Sequence, residues 1–248
     1  MNIVAIMQAR MGSTRLPGKV MKEVLGKPLL EFQIERVRKS KLITRVVVAT
    51  TTKETEQPII DLCKRLSVDC FRGSEMDVLA RYFEAANLYK ADVVVRLTSD
   101  DPLIDPTIID KIIAELLSNP SKYDYVSNSI DRTYPLGLDT EVFSMNALKQ
   151  AYQEATSPAY REHVTPYIRL HPDKFNIGVV KHPVDLSSYR LTVDTEEDLE
   201  LISRVLEELY EKKREYFTME DIIVLLQQHQ DWTLLNSHIE QKKLEDEL

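Results

Sequence analysis

Residues 8–20, QARMGSTRLPGKV, follow a short apolar run and place Arg10, Arg15 and Lys19 among two glycines and the hydroxyls of Ser13 and Thr14. Cations combined with backbone and hydroxyl donors make a cradle for phosphate oxygens. Spacing excludes the two commonest phosphate loops. A Walker A loop needs four residues between its glycines and then Lys-Ser/Thr. Here five residues separate Gly12 from Gly18, and Val20 follows Lys19. A dinucleotide fingerprint needs a GxG, which the six glycines at 12, 18, 26, 73, 137 and 178 never form. What remains is a loop whose three cations match the charge of a nucleoside triphosphate. The competing reading is a cationic surface loop with no ligand.

TSDDP (98–102) is the second candidate. Asp100 and Asp101 repel each other at the end of an apolar run, and a hard divalent cation with oxygen ligands relieves that repulsion. Turn capping ahead of Pro102 would also account for one of them. Asp194, in LTVDTEED, completes a Mg²⁺ site or caps the helix that follows. Asp139 and Glu141, two apart in YPLGLDTEVF, share a face if that segment is a strand, where they bind sugar hydroxyls or face solvent. Asp77 and Arg81, four apart, read as an intrahelical ion pair. The five histidines form no metal or acid–base set. His163 and His171 are eight apart and read as structural or surface residues. Neither HExxH nor GxSxG occurs.

Alternating apolar runs and helical periods must hold these groups in place. NIVAIMQA (2–9) reads as a strand, and PLLEFQIERVRKS (28–40) as a helix with Leu30, Ile34 and Val37 on one face. Strand 45–51, a helix near 54–67, strand 68–72 and helix 77–90 follow. A fourth strand, 91–102, ends in polar residues, and Pro106 opens a helix to about Leu117. Runs such as Val46-Val47-Val48 and Val93-Val94-Val95 are continuously apolar, the pattern of strands covered on both faces. A mostly parallel twisted sheet in an α/β three-layer sandwich is therefore expected. Ligands gather at the carboxyl ends of such strands, so residues 8–19 and 98–101 should face one crevice.

Further strands are expected at 123–129, 138–144, 175–181 and 189–194, with an interrupted helix at 158–171. A strong helix over 195–213 has Thr195 at its N-cap. The last thirty residues read as charged helix with no site signature. No internal repeat or low-complexity linker is present.

The 248 residues, 43% hydrophobic and 29% charged with a formal charge of −8, suit one α/β domain with an appendage. A net acidic chain lacks the basic face of a duplex binder. A local cationic loop on such a chain suits a small anionic ligand. Cys63 and Cys70 give no CxxC and no zinc spacing, and read as buried or half-buried thiols. The amino terminus has no signal-peptide pattern, and no apolar run reaches about 18 residues. A cytoplasmic protein is expected.

QARMGSTRLPGKV closely resembles the N-terminal loop of the cytidylyltransferases that make CMP-KDO and CMP-sialic acid. TSDDPLIDP resembles their second motif, and VDTEEDLE is similar to their third. The resemblance spans roughly residues 2–205 and is most specific in the first motif. DVLARYFEAA, YPLGLDTEVFS, REHVTPYI and YRLTVDTEEDLELI are most similar to the spore-coat polysaccharide biosynthesis (SpsF) branch of that superfamily. The resemblance implies a fold of the nucleotide-diphospho-sugar transferase type. Residues 1–215 would form the nucleotidyltransferase domain and 216–248 a C-terminal helical extension.

The resemblance further implies that Arg10, Ser13, Arg15 and Lys19 hold the triphosphate of CTP. Asp100 and Asp194 would bind Mg²⁺, with Asp101 a further candidate, and Arg10, Arg15, Lys19 and Asp100 would form the catalytic set. Ala9, Gly12, Thr14, Ser74, Arg81 and Thr98 would complete the nucleotide site, and Asp139 and Glu141 would contact the sugar. Where CMP-KDO synthetases carry Gln two residues before the metal Asp, this chain has Thr98. The implied reaction activates an acidic or cell-surface polysaccharide sugar and releases pyrophosphate. The implied assembly is a homodimer with small-molecule substrates and no nucleic acid or membrane partner. The alternatives are a glycosyltransferase of the same nucleotide-sugar fold, whose donor carries only a diphosphate, and a non-enzymatic nucleotide sensor.

Overall fold

The computed structural model describes residues 1–118, 121–213 and 216–241. In chain order its first half runs β1 (Ile3–Gln8), the two-residue strands β2 (Glu23–Val24) and β3 (Lys27–Pro28), and α1 (Leu29–Val37). It continues with β4 (Arg45–Thr51), α2 (Gln57–Leu66), β5 (Asp69–Gly73), α3 (Val78–Leu88), β6 (Val93–Thr98) and α4 (Pro106–Ser118). The second half adds β7 (Tyr125–Ser127), β8 (Glu141–Ser144), α5 (Met145–Glu154), α6 (Pro158–His163), α7 (Pro166–Arg169) and β9 (Ile177–Val179). It closes with α8 (Glu196–Lys213), α9 (Met219–Gln228) and α10 (Gln230–Thr233).

Among the described residues the main sheet has seven strands in the order β5-β4-β1-β6-β8-β7-β9. Every pairing is parallel except the two made by β8, with β6 and with β7. The expected mostly parallel three-layer sandwich is what forms. Side chains of β1 alternate between two apolar cores. Ala5 and Met7 join α1, α2, α4, α8 and α9 on one face. Val4 and Ile6 join α3, α5 and α7 on the other. Burial on both faces explains why these strands read as unbroken apolar runs. No helix among the described residues is long and apolar enough to cross a membrane.

The expected strand at 189–194 does not form; this segment makes a single bridge, Arg190 with Leu136. Its backbone groups are spent elsewhere. Leu191 N–H donates to Leu136 O (2.7 Å), and Val193 N–H donates to Asp100 O (2.8 Å). Val193 O accepts from Lys19 Nζ (2.8 Å). The alternating Leu191 and Val193 are buried as a strand's would be, but the segment is a strap across the ends of the sheet. Strand 138–144 is shortened to 141–144 for a similar reason. The Asn128 amide takes the place of ladder partners, donating to Leu138 O and accepting from Thr140 N–H, both at 2.8 Å.

The start of the C-terminal region packs into the first core through Phe217, Met219 and Ile222. Buried Arg36 holds it there, donating to Ile104 O (2.7 Å) and Phe217 O (3.0 Å), with its guanidinium 3.9 Å from the Phe217 ring centre. Burial pushes this guanidinium down to about 10, with Asp105 acting in the opposite direction. The expected boundary at residue 215, and residues 242–248 of the expected extension, lie outside the described residues.

Gly137 is where the strap is crossed most closely. At φ 100° it sits against Leu191, whose carbonyl carbon would lie 2.5 Å from an added Cβ. Gly137→Ala should therefore destabilise the chain by more than about 1 kcal/mol. Urea denaturation checks this, and an unchanged midpoint would show that the strap can yield without cost.

Candidate functional site

β1 and β6 lie side by side with Gln8 opposite Thr98, so both carboxyl ends open into one crevice of about 230 Å³. The loop after β1 is folded on itself, because Met11 O accepts from both Ser13 N–H and Gly18 N–H at 3.0 Å. Buried Glu56 accepts from Met11 N–H at 2.9 Å and from the Thr50 hydroxyl at 3.1 Å. Leu16 and Val20 are buried in the core beneath the loop. Gly18 takes the left-handed conformation, φ 67°, and a single 3-10 turn, Lys19–Met21, follows. Apolar anchors at 16 and 20 thus leave Arg15 and Lys19 as the polar face of the turn.

Lys19 lies between two carboxylates from distant parts of the chain. Its Nζ donates to Asp100 Oδ2 at 2.9 Å and to Asp194 Oδ1 at 2.8 Å. Arg15 reaches Asp194 Oδ2 at 2.8 Å. Burial alone would lower the Lys19 ammonium, but Asp100 and Asp194 outweigh it and hold the amine above its ordinary value. Burial alone would raise the Asp194 carboxyl, yet Lys19, then Arg15 and Arg190, hold it below the usual carboxylate range. Asp100 Oδ1 is buried and has no hydrogen-bond partner.

Asp194 is aimed by the start of α8. Thr195 and Asp198 cap that helix reciprocally, the Asp198 N–H donating to the Thr195 hydroxyl at 3.3 Å and the Thr195 N–H to Asp198 Oδ2 at 3.1 Å. Asp198 also accepts from the Asp194 N–H at 2.9 Å and pairs with Arg190 at 2.8 and 2.9 Å. Arg190 in turn donates to Asp194 Oδ2 at 3.1 Å.

A second cavity of about 280 Å³ adjoins the crevice, with Thr98 in the wall of both. Two arginine–carboxylate pairs line it. Arg96 pairs with Glu141, whose other oxygen accepts from the Tyr125 hydroxyl at 2.7 Å. Arg132 pairs with Asp139, Nη2 to Oδ2 at 2.7 Å. Burial would raise Glu141, but Arg96 and Arg169 hold it below the carboxylate range. Arg169 lines the same cavity with its Nε buried and unpartnered, and its side chain makes no ion pair among the described residues.

The structure brings Arg10, Gly12, Ser13, Thr14, Arg15, Lys19, Thr98, Asp100 and Asp194 to the first crevice. Ala9 and Arg81 line a neighbouring recess of about 150 Å³ that Arg10 also borders. Ser74 stands outside both; its hydroxyl accepts the Asp77 N–H at 3.0 Å and its carbonyl accepts from Arg81 at 2.8 Å. The expected Asp77–Arg81 pair does not form. Asp77 caps α3 and pairs with Arg161 at 3.0 Å, a partner from α6 that spacing along one helix cannot reveal. Asp101 does not face the crevice. It is buried, accepts from the Thr98 hydroxyl at 2.9 Å, and is held well above the carboxylate range by burial, then by Asp100 and Asp139. Asp139 and Glu141 line the second cavity, but their oxygens already accept from Arg132, from Arg96 and from the Tyr125 hydroxyl. Cys63 and Cys70 are free, buried and half-buried respectively.

Sequence reasoning passed over Arg96, Arg132, Arg169 and Gln8, all at these cavities. Arg96 did carry a signal, as a charge inside an otherwise apolar buried strand. His163, read as structural, lines the second cavity and the recess beside Arg81.

The family model described as Cytidylyltransferase matches residues 4–240. The spore coat polysaccharide biosynthesis protein SpsF of Bacillus subtilis is 37% identical, over 93% of this chain and 96% of its own. A 3-deoxy-manno-octulosonate cytidylyltransferase of Chlamydia trachomatis is 30% identical, over 82% of this chain and 81% of its own. A solved cytidylyltransferase from Leptospira borgpetersenii superposes with a TM-score of 0.90 at 33% identity, covering 98% of this chain and all (100%) of that one.

The Lys19–Asp194 contact has a defined pH signature. Because Asp194 is depressed, its contribution to stability is complete above the unfolded value of about 3.9 and is lost as pH falls through the folded value. Because Lys19 is raised, its contribution is complete below about 10.4 and is lost as pH rises through its folded value. Asp194→Asn should therefore lower Tm at neutral pH, and its gap to the native chain should close below about pH 4. Calorimetry across the acid range checks this, and a gap that stays constant would contradict it.

Proposed function

The chain belongs to the cytidylyltransferase family and is a nucleotidyltransferase, and on that footing we propose that it transfers CMP from CTP to a hydroxyl of an acidic, cell-surface polysaccharide sugar. The observation that carries the reading is Lys19 seated between Asp100 and Asp194 at the carboxyl ends of β1 and β6. Three cations, Arg15, Lys19 and Arg190, there meet three carboxylates, Asp100, Asp194 and Asp198. Such a charge-balanced cluster can exchange partners. Arg15 and Lys19, with Arg10 at the rim, turn to phosphate oxygens and leave Asp100 and Asp194 to other positive charge.

The sugar hydroxyl oxygen attacks the α-phosphorus in line. The bond to the β-phosphate oxygen breaks, pyrophosphate leaves with its electron pair, and the hydroxyl proton passes to solvent. This chemistry needs positioning and charge neutralisation rather than a protein nucleophile. Arg10, Arg15 and Lys19 hold the departing phosphates.

The residues fit a divalent cation. Asp100 Oδ1 is a buried oxygen with no partner, and Asp194 supplies a second hard donor. Among the described residues no group of three or more His, Cys, Asp or Glu could hold a metal by itself, so nucleotide oxygens would complete the set. Mg²⁺ on Asp100 and Asp194 would polarise the α-phosphate and lower the pKa of the acceptor hydroxyl.

The second cavity suits the sugar. Its two arginine–carboxylate pairs offer donors and acceptors to hydroxyls, and Arg169, which makes no ion pair among the described residues, adds a cation. That spare charge supports an acidic sugar, and the likeness to a spore coat polysaccharide protein supports a cell-surface product.

Lys19→Ala should lower pyrophosphate release by about 10²-fold or more while circular dichroism shows the native fold; turnover near that of the native chain would sink the assignment. Release of a nucleoside diphosphate instead would identify a glycosyltransferase. Arg169→Ala should raise KM for an acidic acceptor by about tenfold, with KM for CTP unchanged. Equal effects on both substrates would place Arg169 outside acceptor binding.

A further inference from the structure

The Asp194 carboxylate is braced from a part of the chain that carries no motif. Beyond α10, Asn236 is only 2% exposed. Its Nδ2 donates to Arg190 O at 3.1 Å and to Asp198 Oδ1 at 2.8 Å. Five residues on, Gln241 Oε1 accepts from Arg190 Nη1 at 2.8 Å, and Gln241 also lines the second cavity. Arg190 spends Nε and Nη2 on Asp198, shares Nη2 with Asp194, and gives Nη1 to Gln241. The guanidinium is planar and its donors are fixed in one plane. Its orientation therefore decides whether Nη2 still meets Asp194 Oδ2.

Asp198 is the other half of the brace. Its two oxygens accept from Arg190, from the N–H groups of Asp194 and Thr195, and from Asn236. With its acceptor sites filled, the carboxylate has no alternative place to turn. Among the described residues, Asn236 alone touches both members of the pair from the C-terminal side.

We propose that Asn236 is a positioning residue for nucleotidyl transfer, holding the Arg190–Asp198 pair so that Asp194 keeps its aim at Lys19 and at a divalent cation. This rests on the role given to Asp194 in the proposed function. Asn236 and Gln241 thus belong to the site's support. Gln241 ties the same support to the wall of the acceptor cavity.

Asn236→Ala, Gln241→Ala and Leu226→Ala are compared in the full chain. Leu226 is buried in α9 and lines neither cavity. The readouts are Tm, Mn²⁺ affinity by electron paramagnetic resonance with CTP present and no acceptor, and kcat and KM by pyrophosphate release. Asn236→Ala should weaken Mn²⁺ binding and lower kcat by about tenfold each, with KM for CTP within about twofold. Leu226→Ala should lose at least as much Tm with both values unchanged. Gln241→Ala, at an exposed position, should keep its Tm and weaken Mn²⁺ binding by a smaller factor, which carries the test if Asn236→Ala does not fold.

Mn²⁺ affinity unchanged in the Asn236 and Gln241 variants, or equally weakened by Leu226→Ala, would overturn the proposal and leave Asn236 a structural residue. A native chain that binds Mn²⁺ with CTP but releases no pyrophosphate would defeat the catalytic reading, and the affinities would still decide the brace. A native chain that binds no Mn²⁺ would overturn both.

Discussion

The contact of Lys19 with Asp100 and Asp194 is the constraint around which the rest is arranged. Three charges, half-buried Lys19 and Asp100 and buried Asp194, converge on one point, and a buried charge is tolerated only when paired. Each member needs a different device to reach it. Lys19 needs the turn that Gly18 begins and Val20 anchors. Asp100 needs the carboxyl end of β6, and Asp194 needs the strap pinned by Gly137 and Leu136. The sheet brings two of these together as neighbours in register, and the strap supplies the third.

A second consequence is the division of labour on either side of Thr98. On one side, in the proposed reading, cations and carboxylates exchange partners with a triphosphate. On the other, Arg96–Glu141 and Arg132–Asp139 are paired in the wall of the second cavity, which Arg169 lines without an ion pair among the described residues. In the proposed reading an acidic acceptor would meet the half-buried Arg169 guanidinium, which also acts on Glu141, in that wall. Asp101, beneath the shared wall, is the complement: it accepts from the Thr98 hydroxyl instead of lining the crevice, and burial and two neighbouring carboxylates hold it above the carboxylate range.

Much of this was legible along the chain. The carboxyl ends of β1 and β6 could be found because strands buried on both faces read as apolar runs, and polar residues at their ends stand out. The cap of α8 was readable because Thr195 and Asp198 are three apart. Legibility failed where partners are distant. Asp77 chose Arg161 over Arg81, and Leu191 and Val193 alternate like a strand although their backbone groups go to a loop, an aspartate carbonyl and a lysine. Period two reports which side chains are buried, not which backbone pairs with which.

By itself, then, the sequence determined the layer architecture, the cationic, hydroxyl-bearing character of residues 10–19 and the candidate carboxylates, because these depend on local periodicity and residue type. The tertiary structure decided which carboxylates work together. It chose Asp100 and turned Asp101 inward, joined Asp194 to Lys19 across 175 residues, and brought Arg96, Arg132 and Arg169 from separate elements to one cavity. It also carried Asn236 and Gln241 from the end of the chain to Arg190. Such pairings are set by sheet register and chain crossing, and no spacing along the chain encodes them.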